Sequence, residues 1–138
     1  MSNIDYVKNV QIYKTFDGTT NEIKYNVSGF PMNDPPDVCI IKQINFMTDD
    51  VDTNIYSIWS DLVNDHVASF TTTNNYEDEK YNAIVCPNTT IKLNRPVIGD
   101  ITFSLLTFLP ADPYKLQPIA DTNATIVLNL EFIRYNKN

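Results

Sequence analysis

The sequence predicts an all-β fold, a single jelly-roll sandwich of about eight antiparallel strands, on three observations. Apolar and polar residues alternate with a period of two from end to end, as they do in strands with one buried face. Eight prolines and turn dipeptides such as Asp17-Gly18 punctuate the alternation. No segment carries the 3.6-residue apolar period of an amphipathic helix, and the connections are too short for βαβ crossovers, which excludes the α/β classes. A chain of 138 residues is long enough for one domain with a real core and too short for two. Residues 1–138 are therefore expected to form one domain, with residues 1–9 as a flexible N-terminal arm.

Each element follows from its own pattern. Val10 to Lys14 reads as a first strand, ended by the Asp17-Gly18 turn. Ile23, Tyr25 and Val27 alternate with Lys24, Asn26 and Ser28 in a second, half-exposed strand. Prolines 31, 35 and 36 make the next stretch a loop, since proline cannot donate to a ladder. Val38 to Met47 is a long, largely buried strand, and Ile55 to Ser60 is a strand with apolar side chains on both faces. Asp61 to Asp65 reads as a short turn or a single helical turn before the strand His66 to Thr71; Thr72 to Tyr81 is expected as a solvated loop. Ala83 to Cys86 and Thr90 to Leu93 resume the alternation around Pro87, and Asp100 to Phe108 follows. Pro110, Pro113 and Pro118 mark an exposed excursion. From Ala124 to Tyr135, residues Ala124, Ile126, Leu128, Leu130 and Phe132 share one face, so this strand is expected to lie centrally in a sheet. Strands joined by connections of uneven length favour a jelly roll. An immunoglobulin-like sandwich is the runner-up, weakened because Trp59 lies far from both cysteines and no tyrosine corner precedes Cys86.

Charge and composition narrow the partners. Ten Lys and Arg against seventeen Asp and Glu give a formal net charge of −7, which argues against direct nucleic-acid binding and against an anionic membrane surface. No apolar run reaches the length of a membrane span, and no signal peptide is visible, so no membrane insertion is expected. Cys39 and Cys86 sit in apolar segments and read as free buried thiols of a reducing compartment. A disulfide between them would require Cα atoms within about 7 Å.

A search for chemistry returns no catalytic, cofactor-binding or metal-binding assignment. The one histidine, His66, adjoins Asp65 and could be combined with Ser60 or Ser69, but nearly any sequence permits such a triad on paper. Three glycines exclude a glycine-rich phosphate loop, and one histidine with two distant cysteines cannot complete a zinc site. Asp49, Asp50 and Asp52, with Asn54, offer oxygen ligands for calcium, yet lack the EF-hand spacing; a solvated acidic turn is the preferred reading. Glu77, Asp78 and Glu79 read as a charged loop tip. Trp59, Tyr56, Tyr76 and Tyr81 could line a carbohydrate-binding face, against the alternative that Trp59 packs in the core. The sequons at Asn26, Asn88 and Asn123 are expected by chance in an Asn- and Thr-rich chain, and no glycosylation is inferred.

Three phrases carry a resemblance. Asp37-Val38-Cys39-Ile40-Ile41-Lys42-Gln43-Ile44, Ile58 to Phe70 (Ile58-Trp59-Ser60-Asp61-Leu62-Val63-Asn64-Asp65-His66-Val67-Ala68-Ser69-Phe70) and Leu128-Asn129-Leu130-Glu131-Phe132-Ile133-Arg134-Tyr135 resemble small single-jelly-roll capsid proteins. The likeness is to penton and minor capsid proteins of nucleocytoplasmic large DNA viruses and their virophage-like relatives, over roughly residues 37 to 135. It implies a virion structural protein without enzymatic activity, made in the host cytoplasm. It also implies assembly as a homopentamer at the five-fold vertex beside neighbouring capsid proteins. A minor capsid or cement protein, or a non-viral carbohydrate-binding sandwich, is the alternative. The family supplies no functional motif to carry over residue by residue. Five copies would hold 5 × (−7) = −35 formal charges, so subunit contacts are expected on apolar and neutral polar surfaces.

Overall fold

The computed structural model describes residues 3–16, 20–27, 34–49, 55–75, 80–93, 97, 99–109, 112–118 and 124–136. Among them the strands are β1 (Ile4–Thr15), β2 (Glu22–Val27), β3 (Val38–Thr48), β4 (Ile55–Ser60), β5 (Asp65–Thr71), β6 (Thr73–Asn75), β7 (Lys80–Val85), β8 (Thr89–Lys92), β9 (Gly99–Leu109), β10 (Asp112–Pro118) and β11 (Thr125–Tyr135). Two antiparallel sheets result. The first runs β1-β11-β3-β7-β6, with β8 also on β3; the second runs β10-β9-β4-β5, with β2 also on β9. The chain passes from one sheet to the other at β1–β2, β2–β3 and β3–β4, and again at β5–β6, β8–β9 and β10–β11. Its last long strand returns between β1 and β3. That is the jelly roll the alternation predicts.

The alternation of β11 is the plainest cause of this arrangement. Ile126, Leu128, Leu130 and Phe132 are buried between the sheets while Thr125, Val127, Asn129 and Glu131 face outward. Opposite them, β3 holds Cys39, Ile41, Ile44 and Phe46 against the core. The parity changes at Lys42, where a bulge leaves Ile41 opposite Leu130 and Gln43 opposite Asn129. One extra residue therefore lets an apparently unbroken apolar run keep two inward faces in phase. Across the sandwich, the Tyr56 ring of β4 stacks on Phe70 of β5 at 5.4 Å and lies 4.7 Å from Phe46 of β3, joining the sheets. Burial of each such ring stabilises the fold by about 2–3 kcal/mol.

Turns close the remaining gaps. Asn64 takes φ 55 between β4 and β5, a conformation asparagine tolerates. Asp61 ties the same turn to β9: its N–H donates to the Thr102 carbonyl at 3.1 Å, and its Oδ1 accepts from the Thr102 N–H at 3.0 Å. Between β7 and β8, Pro87 falls where no ladder donor is needed, and Asn88 turns the chain at φ 51 to donate to the Ile41 carbonyl.

Three local expectations are corrected. Residues 4–9, expected within a flexible arm, form the first half of β1, paired with β11 from Tyr135 to Glu131. The polar stretch from Thr72 to Tyr81 includes β6 and the start of β7, whose ladder is made by the backbone whatever the side-chain polarity. The proline-marked excursion contains β10, which among the described residues pairs with β9 alone; such an edge strand accommodates Pro113 and Pro118.

Candidate interaction surfaces

His66 stands on the outer face of the second sheet, opposite Trp59. Its Nδ1 lies 3.0 Å from Ser57 Oγ, not from Ser60 or Ser69. Ser57 Oγ also lies 3.4 Å from the Ala68 carbonyl, so its single proton serves either that carbonyl or His66 Nδ1, according to the tautomer of the ring. The hydrogen bond that Asp65 makes goes to the backbone N–H of His66, at 2.7 Å to Oδ1, and not to the ring. Ser60 is buried toward the core, where its Oγ accepts the Leu62 N–H. A bulge at Val67, between the pairs Ile58–Ala68 and Trp59–His66, aims the ring beside Ser57. Ser57 is the partner that sequence reasoning missed, and only strand register could have found it.

The other sequence-selected residues are dispersed. Tyr56 is fully buried, Trp59 is half-buried on the second sheet and Tyr81 is half-buried on the first, so these three form no common aromatic face. Tyr76 lies outside the described residues, as do Asp50, Asp52, Asn54, Glu77, Asp78 and Glu79. Among the described residues no group of three or more His, Cys, Asp or Glu side chains is placed to hold a metal ion. Cys39 and Cys86 are both free; Cys39 is buried as expected, but Cys86 is exposed. Among the described residues no helix is long and apolar enough to cross a membrane.

A polar cluster secures one end of the first sheet. Arg134, 17% exposed, places Nε 3.5 Å from Asp5 and Nη2 3.4 Å from Asp34, and donates through Nη1 to the Pro35 carbonyl at 2.8 Å. The Tyr6 hydroxyl donates to the Asp34 carbonyl at 2.7 Å. Asp37 completes the closure: its Oδ2 accepts the Tyr135 N–H, and its N–H donates to the Ile133 carbonyl. Each partner lies on β1, β11 or the segment entering β3, so this cluster fastens chain segments together. Burial raises the Tyr6 pKa, with Arg134 acting in the opposite direction.

Both sheets carry uncharged rows on their outer faces. On the first sheet, register sets Tyr13, Val127, Asn45 and Ile84 in one row, and Thr15, Thr125, Met47 and Asn82 in the next. The row on the other side is an amide ladder: Gln11 Nε2 donates to Asn129 Oδ1 at 3.0 Å, and Asn129 Nδ2 donates to Gln43 Oε1 at 3.3 Å. These three rows contain no charged residue; Lys42, Glu131 and Lys92 lie at or beyond their border. Tyr13 is 65% exposed, Ile84 64% and Met47 37%. On the second sheet the rows Leu106, Ser57 and Ser69, and Ser104, Trp59 and His66, are likewise uncharged, and charge enters on the β2 side, with the Glu22–Lys24 pair at 3.4 Å and Asp100, which accepts from Asn26 at 3.0 Å. A shallow cleft of about 290 Å³ opens between β1 and β2, lined by Tyr13, Lys14, Thr20, Glu22, Ile23 and Lys24.

No family model matches the chain, and no curated protein is significantly similar to it in sequence. Solved structures do share its fold. The penton protein of mavirus superposes with a TM-score of 0.54 at 5% identity, covering 94% of this chain and 100% of that one. Latent PorU of Porphyromonas gingivalis gives 0.50 at 6% identity, over 95% of this chain but only 13% of PorU. The NLP core of Drosophila gives 0.47 at 9% identity, over 95% of this chain and 100% of that one. At such identities the likeness is one of fold.

Proposed function

We propose that this chain is a structural subunit of a viral capsid, and that it assembles as a pentamer at a five-fold vertex. The observation that carries the reading is the jelly roll, shared with the mavirus penton protein over the whole of that chain. The three strand phrases that resemble penton and minor capsid proteins support it from the sequence side. Among the described residues the Ser57–His66 pair is not completed as a triad, since Asp65 bonds the backbone of His66. On this reading the protein resides in the virion and has other capsid subunits as neighbours. It requires no cofactor, and its acidic surface stays apart from nucleic acid.

Native mass spectrometry of the purified chain tests the proposal. Five copies of 15.8 kDa give 5 × 15.8 = 79 kDa, the expected species. A chain that remains a 15.8 kDa monomer at high concentration would overturn the pentamer. Its absence from purified virus particles would overturn the capsid role.

A further inference from the structure

We infer that residues 4–9 of β1 form a releasable strap, which opens from the first sheet as a unit of its own, and that Arg134 is its lock. Burial divides the strand in two. In its second half Val10 and Ile12 are buried, and Phe16 closes the core just beyond. Gln11 adds its bond to Asn129 on the outer face at 3.0 Å. In the first half Ile4 is 53% exposed and Val7 43%, and the hydrophobic side chain packed against the core is Tyr6, itself half-buried. Local stability follows buried apolar contacts, so a strand anchored by side chains over one half only opens in two steps.

What holds the first half is polar and passes through one residue. The register slips between Ile4 and Tyr6, which leaves Asp5 as an extra residue in β1 opposite the end of β11. A bulge of this kind re-aims side chains. Here Asp5 reaches Arg134 Nε at 3.5 Å, and the hydroxyl of Tyr6, which pairs with Arg134 across the ladder, donates to the Asp34 carbonyl at 2.7 Å. Arg134 fixes that carbonyl in turn, through Asp34 at 3.4 Å and the Pro35 carbonyl at 2.8 Å. Both contacts of the strap therefore depend on the guanidinium, one directly and one through the segment it holds. Removing it would leave the Asp5 and Asp34 carboxylates close together without the cation they share, and like charges repel. Asp37 is fastened differently. It bonds the β11 backbone at Tyr135 and Ile133, so the entry to β3 stays in place when the strap leaves. Opening uncovers the edge of β11 from Glu131 to Tyr135 and leaves the rest of the sheet closed.

Amide hydrogen exchange of the full chain, read residue by residue by NMR, tests the inference. In the wild type, the amides of residues 5–9 that bond β11 should exchange at least tenfold faster than those of residues 10–15. Their rates should hardly change in mild urea, since a local opening exposes little surface. Arg134→Gln should speed the first group at least a further tenfold and leave the second within twofold. Asp5→Asn keeps Arg134 on Asp34 and Pro35, so it should speed the first group by a smaller factor, and it replaces Arg134→Gln if that variant does not fold. One rate and one urea dependence along the whole of β1 in the wild type would overturn the strap. Unchanged rates for residues 5–9 in the variants, or equal acceleration of both halves, would overturn Arg134 as its lock.

Discussion

At Cys39 the core closes over the thiol, and burial pushes its pKa from 9.0 up to about 12, because the thiolate would lose its hydration. Cys86, the other free thiol, is exposed at the end of β7. Ellman's reagent at mildly alkaline pH should therefore titrate one thiol per native chain and both in denaturant. Two rapid equivalents in the native state would contradict the burial of Cys39. The same shift has a stability consequence. The unfolded chain loses the Cys39 proton near pH 9 and the folded chain holds it toward 12, so this contribution is intact below 9 and is lost as pH rises through that window. Cys39→Ala should flatten that part of an alkaline stability profile measured by urea unfolding. The exposure of Cys86 was not legible in the sequence for a specific reason. Ala83 to Cys86 is an unbroken apolar run, and such a run suggests burial on both faces. Ala83 lies in the core and Val85 packs against it, while Ile84 and Cys86 face outward.

Strand β3 shows how far an element can be read before register is known. Its apolar content was legible, and so was the central place of β11, because five alternating inward residues leave β11 no alternative face. The bulge at Lys42 was not legible: Ile40-Ile41-Lys42-Gln43-Ile44 permits either parity, and only pairing with β11 selects one. The contact of Ser57 with His66 was hidden in the same way, behind the bulge at Val67. Likewise β10 and the first half of β1 carry weak alternation and form because a neighbouring strand offers ladder partners. The bulge makes a contrast that deletions can test. Removing Lys42 restores a regular ladder with Ile41 and Gln43 still opposite Leu130 and Asn129, so the fold should persist at a cost within about 2 kcal/mol. Removing Asn45 should shift every later β3 residue to the opposite face, exposing Phe46, and the chain should fail to fold. Amide proton NMR dispersion distinguishes the two outcomes. Equal tolerance of both deletions would show that register is not set by the bulge.

Across the whole molecule, the acidic excess opposes the self-association proposed above, and salt reads whether charge enters the contact itself. At ~10 mM ionic strength the Debye length is about 30 Å, so the net charge of one copy acts across the full width of the next. At ~0.15 M it falls to about 8 Å, and repulsion between distant acidic groups is largely screened. A contact made of apolar and amide groups has no cross-copy ion pair for salt to weaken. Raising sodium chloride over that range should therefore strengthen self-association several-fold, as measured by sedimentation equilibrium. Lowering the pH toward the sequence pI of about 4.4 at fixed salt should act in the same direction, because the carboxylates that supply the repulsion become protonated. Interfaces that join acidic loops to the few lysines behave in the opposite way, since their attraction is the quantity screened. A fall in affinity with added salt would instead point to charged edges such as Glu22 and Lys24 as the contact. The assembly would then fail on charge reversal at β2.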